Sequence, residues 1–111
     1  MPHVVIEYSQ ALEQQLAVDE LVRCAHAATQ ASELFNPAAI KSRAYSCQHF
    51  HLGAEGVSNF MHITIKLLSG RTDEQKRALS QGVYDAVKAF SAAIESLSVE
   101  VIELPANYVK G

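Results

Sequence analysis

The second residue of the chain is proline, directly behind Met1. Methionine in front of a small residue such as proline is normally removed by aminopeptidase, which leaves the ring nitrogen of Pro2 as a free secondary amine. Such an amine is a base only when unprotonated. Burial and neighbouring cations both disfavour its charged form and lower its pKa, and a general base works best with a pKa near the working pH. Position two alone does not establish catalysis, because many chains begin Met-Pro. The cations decide how far the idea goes. Lys41 and Arg43 stand two apart, so on an extended strand they point to the same face. Arg71 sits in the Ser69–Gln75 segment, just past an alternating run. If those runs pair as set out below, Pro2, Lys41, Arg43 and Arg71 converge on one sheet edge. Solvated loop cations are the competing reading of the three basic residues.

The remaining reactive residues make weaker patterns. His49-Phe50-His51 has the H-x-H spacing of some metal sites. No carboxylate or cysteine cluster completes it, Cys47 alone is not enough, and a pair of loop histidines is the preferred reading, with no metal expected. Cys24 is expected to pack as a small apolar residue on a helix. The two cysteines are read as free thiols of a reducing compartment. There is no glycine-rich phosphate loop, no G-x-S-x-G and no C-x-x-C.

The elements that must carry these residues follow from periodicity. Residues 3–9, HVVIEYS, alternate and are rich in β-branched types, as strands are. Val18, Leu21, Val22, Ala25 and Ala28 fall at helical spacing, with Asp19 and Glu20 suited to a first turn. That helix is predicted over about Val18 to Leu34, broken by FNPAAI, where Pro37 disfavours helix at Asn36. A second strand follows over about Ile40 to His49. Gly53 and Gly56 mark a turn, and FMHITIKLL (60–68) is a third strand. Thr72 with Gln75 three residues on forms a capping box. The helix behind it is predicted to run to about Leu97, burying Leu79, Val83, Ala86, Val87, Phe90 and Ile94. SVEVIEL (98–104) is the fourth strand, ended by Pro105.

The order is therefore β-α-β-β-α-β in a single domain, 1–111, with a pseudo-repeat of 2–51 and 60–105. His3 matches His62 at an offset of 59, and Ile40 matches Val99 at the same offset. Each β-α-β unit pairs its strands in parallel through a right-handed crossover. The fold class is α+β: four strands in one sheet with two helices on one face. Val4, Ile6 and Tyr8 with Ile63, Ile65 and Leu67 should meet the helices. The other face carries His3, Val5, Glu7, His62, Thr64 and Lys66. An uncovered face of this size invites another subunit, and its polar groups must then be paired.

Composition excludes some functions. Of 111 residues, 49% are apolar and 19% charged, a globular balance. The net charge of −3 argues against a nucleic-acid domain, which would show a basic face. MPHVVIEYS lacks the basic and long apolar regions of a signal peptide. No stretch approaches the ~20 apolar residues of a membrane span, so the cytoplasm is the expected location.

A start of PHVVIEYS, a central IKSR at 40–43, HITIKLLSGR at 62–71 followed by TDEQK, and a closing VEVIEL resemble the 5-carboxymethyl-2-hydroxymuconate isomerases of the tautomerase superfamily. The resemblance covers almost the whole chain. It implies a homotrimer with active sites near subunit boundaries, a small carboxylate substrate, no metal or organic cofactor, and a step in bacterial breakdown of homoprotocatechuate. It implies that Pro2 is the catalytic base and that Arg71 and Arg43 bind substrate carboxylates. Lys41 stands where the family's R-S-R has its first arginine. The charge is kept and the bidentate fork is lost. The implied activity is enol-to-keto tautomerisation of a 2-hydroxymuconate-type acid. Phenylpyruvate tautomerase, haloacrylate hydratase and a non-catalytic trimeric binding module are the alternatives.

Overall fold

Alternating β-branched residues and two amphipathic helices condense into one sheet with a helical layer. The computed structural model describes Met1–Gly111. Its elements are β1 (His3–Ser9), α1 (Val18–Ala31), β2 (Lys41–Cys47), β3 (Phe60–Leu67), α2 (Asp73–Phe90) and β4 (Ser96–Glu103). Short 3-10 turns lie at Gln10–Gln14 and Pro37–Ala39. The strand order is β2-β1-β3-β4. β1 pairs with β2 and β3 with β4 in parallel, and β1 and β3 are antiparallel neighbours at the centre. This is the predicted α+β order and layer.

The period of two in the central strands decides what the core contains. Val4, Ile6 and Tyr8 of β1 and Met61, Ile63, Ile65 and Leu67 of β3 are buried. They share one core with Leu21 and Ala25 of α1 and Leu79, Val83 and Val87 of α2. Burying each large aliphatic side chain contributes roughly 1.5–3 kcal/mol, so these positions dominate the stability. Cys24 packs half-buried between the helices, its Sγ 3.5 Å from the Ala86 carbonyl, and burial raises its pKa.

Two helix ends differ from the sequence expectation. α1 stops at Ala31 rather than Leu34, with Glu33 in the left-handed region at φ 60°. α2 stops at Phe90 rather than Leu97. Ser91 is extended, and the segment behind it is held by Asn59, whose Nδ2 donates to the Ala93 carbonyl at 2.9 Å while its Oδ1 accepts from Glu95 N–H at 2.8 Å. The Glu95 carboxylate in turn accepts from the Ser58 hydroxyl. These bonds from a distant loop outcompete continued helix. Phe90 is therefore 37% exposed, and Ile94 lies beyond the helix, so the buried stripe ends at Val87. β4 accordingly starts at Ser96. The strand register also shifts the internal correspondence. His3 pairs with Lys41 and His62 with Ser98, so Ile40 corresponds in register to Leu97 rather than Val99.

The opposite sheet face carries no helix. Lys41, Arg43 and Tyr45 lie beside His3, Val5 and Glu7, then Lys66, Thr64 and His62, then Ile102 and Glu100. Some polar groups on this face are paired within the chain. His62 contacts the Ser98 hydroxyl at 2.6 Å and the Glu100 carboxylate at 2.5 Å. No helix is long and apolar enough to cross a membrane.

Candidate active site

The parallel pairing of β1 with β2 brings both strand starts to one end of the sheet. Antiparallel β3 delivers its far end there, because His3 pairs with Lys66. Pro2 is buried at that end, and its carbonyl accepts from Lys41 N–H at 3.0 Å. The Met1 amine donates to the Ala39 carbonyl at 2.9 Å. Its pKa is lowered from 8.0, first by burial, then by the charges of Lys41, Lys110 and Arg71. Lys41 and Arg71 thus act on the amino terminus as the strand geometry requires. Arg43 lies further along the open face and is engaged elsewhere.

Arg71 is fixed by local chemistry. Gly70 takes φ 121°, a conformation that L side chains rarely adopt, and so turns the chain out of β3. Thr72 then caps α2, its hydroxyl accepting from Gln75 N–H and the Gln75 side chain accepting from Thr72 N–H. Held between these two, the Arg71 guanidinium donates 2.7 Å to the Leu34 carbonyl and lies 4.9 Å over the Phe35 ring.

Arg43 Nη1 lies 3.0 Å from His3 Nδ1, and His3 Nε2 lies 2.9 Å from the Tyr108 hydroxyl. The His3 pKa is lowered, by burial first and then by Arg43, Lys41, the amino terminus and Lys66. Lys41 is exposed, its ammonium 3.5 Å from the Ala39 carbonyl, and is free to pair with an anion. Three residues at this end carried no sequence signal: His3, Tyr108 and Lys110. The last two sit in the tail behind Pro105, whose path no periodicity describes.

Other candidates do not assemble. His49 and His51 are exposed loop residues, Phe50 packs on Phe60 with ring centroids 5.3 Å apart, and no group of three or more His, Cys, Asp or Glu is placed to hold a metal ion. The largest concavity, about 380 Å³, runs between α1 and α2 along Ala28, Ala31, Ala78, Gly82 and Ala86. It has no titratable lining and lies away from the amino terminus. In chemical terms the amino-terminal end offers an amine biased toward its neutral form, ringed by cations that fit carboxylates.

The chain resembles known proteins over nearly its whole length. The family model for 5-carboxymethyl-2-hydroxymuconate isomerase matches residues 2–109. The 5-carboxymethyl-2-hydroxymuconate Delta-isomerase of Escherichia coli is 27% identical over 111 aligned residues, covering 94% of this chain and 87% of that one. A crystal structure of a 5-carboxymethyl-2-hydroxymuconate delta-isomerase superposes with a TM-score of 0.89 at 20% identity, covering 100% of this chain and 87% of the other. A structure described as an F6 fused 4-OT wild type asymmetric trimer shares the fold, with a TM-score of 0.73 at 18% identity over 97% of this chain and 90% of that one.

Proposed function

The chain belongs to the 5-carboxymethyl-2-hydroxymuconate isomerase family, and we propose that it catalyses enol-to-keto tautomerisation of 5-carboxymethyl-2-hydroxymuconate with Pro2 as the base. The observation that carries this reading is the amino terminus: its amine is pushed toward the neutral form by burial and by Lys41, Lys110 and Arg71. Once Met1 is removed, the free amine is that of Pro2, at the same end of the sheet as Lys41.

The neutral Pro2 nitrogen takes the proton from the enol hydroxyl. Charge spreads over the resulting dienolate, and the protonated amine returns a proton to a carbon further along the conjugated system. The product is the conjugated oxo-acid, with no net gain or loss of atoms. Arg71 and Lys41 hold substrate carboxylates, with the donors of Arg43 not used on His3 available to a third. The same cations that keep the base neutral stabilise the charge that develops on the substrate.

The open sheet face supports a homotrimer, in which the site would lie near a subunit boundary. The isolated Cys24 and Cys47 thiols fit a reducing cytoplasm, and the substrate fits homoprotocatechuate breakdown.

The test is ketonisation of 5-carboxymethyl-2-hydroxymuconate followed by ultraviolet absorbance, on protein whose intact mass shows loss of Met1. The reading requires turnover that Pro2→Ala largely removes. Processed protein without turnover would refute it.

A further inference from the structure

Three side chains form a directed line of hydrogen bonds that ends at the amino terminus. Arg43 Nη1 is 3.0 Å from His3 Nδ1, His3 Nε2 is 2.9 Å from Tyr108 Oη, and Tyr108 Oη is 2.9 Å from Met1 Sδ. The direction of each bond is forced. A guanidinium has donors and no acceptor, so Arg43 donates and His3 Nδ1 is bare. In a neutral imidazole the proton is then on Nε2, and Nε2–H donates to the Tyr108 oxygen. That leaves the phenol hydrogen for the third contact, where it points at the methionine sulfur. The line begins at a group that does not titrate in proteins, so its polarity does not reverse.

The tail is built to present this hydroxyl. Leu104 N–H donates to the Leu67 carbonyl at 2.7 Å, extending the sheet past β4. A turn closed by Tyr108 N–H to the Pro105 carbonyl at 3.0 Å brings the ring back toward β1. There it meets His3 edge to face, with ring centroids 6.0 Å apart at 78°.

Sulfur is a weak acceptor, and it leaves with Met1. Met1 is bonded directly to Pro2, so its loss leaves the phenol hydrogen without an acceptor at the end of the sheet where Pro2 lies. We propose that Tyr108 is a catalytic residue that donates a hydrogen bond to the substrate oxygen from which Pro2 takes its proton, and that His3 and Arg43 are positioning residues that hold the phenol in its donating orientation. This rests on the tautomerase reading above. Tyr108 stays protonated throughout. Its contribution is a neutral donor aimed where negative charge builds, and such donors act on the transition state more than on substrate binding.

The experiment compares Tyr108→Phe, His3→Leu and His3→Gln with the parent, all verified by mass to lack Met1, using the same ketonisation assay across pH. Tyr108→Phe should lower kcat on the order of 100-fold, as loss of an oxyanion donor does. KM should stay within about twofold, the mark of an interaction made in the transition state. The acid limb of kcat/KM should not move, because the phenol touches the substrate and not the Pro2 nitrogen. His3→Leu should lower kcat in the same direction, and His3→Gln should recover most of it, since the amide carries an acceptor for Arg43 and a donor for Tyr108. A Tyr108→Phe protein with parental kcat, alongside inactive Pro2→Ala, would overturn the tyrosine role and leave the tautomerase reading standing. A loss confined to KM and melting temperature would also overturn it, marking the tail as structural. A processed parent without turnover would remove both.

Discussion

The chemistry rests on whether a few charges make an amine neutral. Burial is the first cause of the lowered amino-terminal pKa, with Lys41, Lys110 and Arg71 behind it. A base must be unprotonated, so if the burial and charges that lower the Met1 amine act equally on the Pro2 amine, kcat/KM should fall only as pH drops through a pKa below that of a free secondary amine. Lys41→Ala should move that limb upward, toward a free amine. A limb that stays put would show that the lysine does not act on the base. On the proposed reading Arg71 also binds a carboxylate, so Arg71→Ala should raise KM about tenfold or more, the cost of one charge-assisted hydrogen bond. An unchanged KM would remove it from substrate binding. His3 gives a stability signature. Its folded pKa is depressed below 6.5, so the unfolded chain binds more protons in the window just below 6.5, and stability rises with pH there. The stabilisation is complete above 6.5 and is lost as pH falls through the folded value. His3→Gln should flatten that part of a urea-midpoint profile against pH.

Two elements owe their limits to single polar residues. Thr72 and Gln75 close the capping box at the head of α2 and thereby fix the residue after Gly70, which is Arg71. Thr72→Ala should cost about 1 kcal/mol in urea denaturation, and the loosened turn should raise KM as well. At the other end of α2, buried Asn59 satisfies the Ala93 carbonyl and the Glu95 N–H. Asn59→Leu removes both bonds, for which about 0.5–1.5 kcal/mol each is expected in urea denaturation. Capping was legible because the motif is local, three residues apart on one chain. The stop at Phe90 was not. Ala92, Ala93 and Ile94 read as continuing helix until a side chain more than 30 positions away claims the backbone of Ala93 and Glu95.

The whole molecule is under-covered for its size. Its accessible surface is 6663 Å², against about 6,000 Å² expected for a folded monomer of this mass. The radius of gyration is 14.3 Å, against about 13 Å for a compact chain of this length. Only 19 of 111 residues are buried, and the face with Tyr45 at 56% and Ile102 at 40% exposure lacks a cover. Such a face gains by pairing with further copies. Light scattering should give three times the 12.1 kDa chain mass. Val5→Asp, placed between Arg43 and Thr64 on that face, should shift the mass toward the monomer and lower activity together. A fully active monomer would separate the catalytic reading from assembly.

The sequence by itself determined the strand and helix order, the two faces of β1 and β3, the capping box, and the family. Each is written in spacing over a few residues, where the pleat and the helical turn translate position directly into side-chain direction. Only the tertiary structure decided which cations reach the amine. Lys41 and Arg43 look alike in sequence, yet one acts on the amino terminus while the other bonds His3. It also brought Tyr108 and Lys110 back from a tail with no periodicity. Those relations join residues about 100 positions apart, and contacts at that range are set by how the sheet end and the tail close in space.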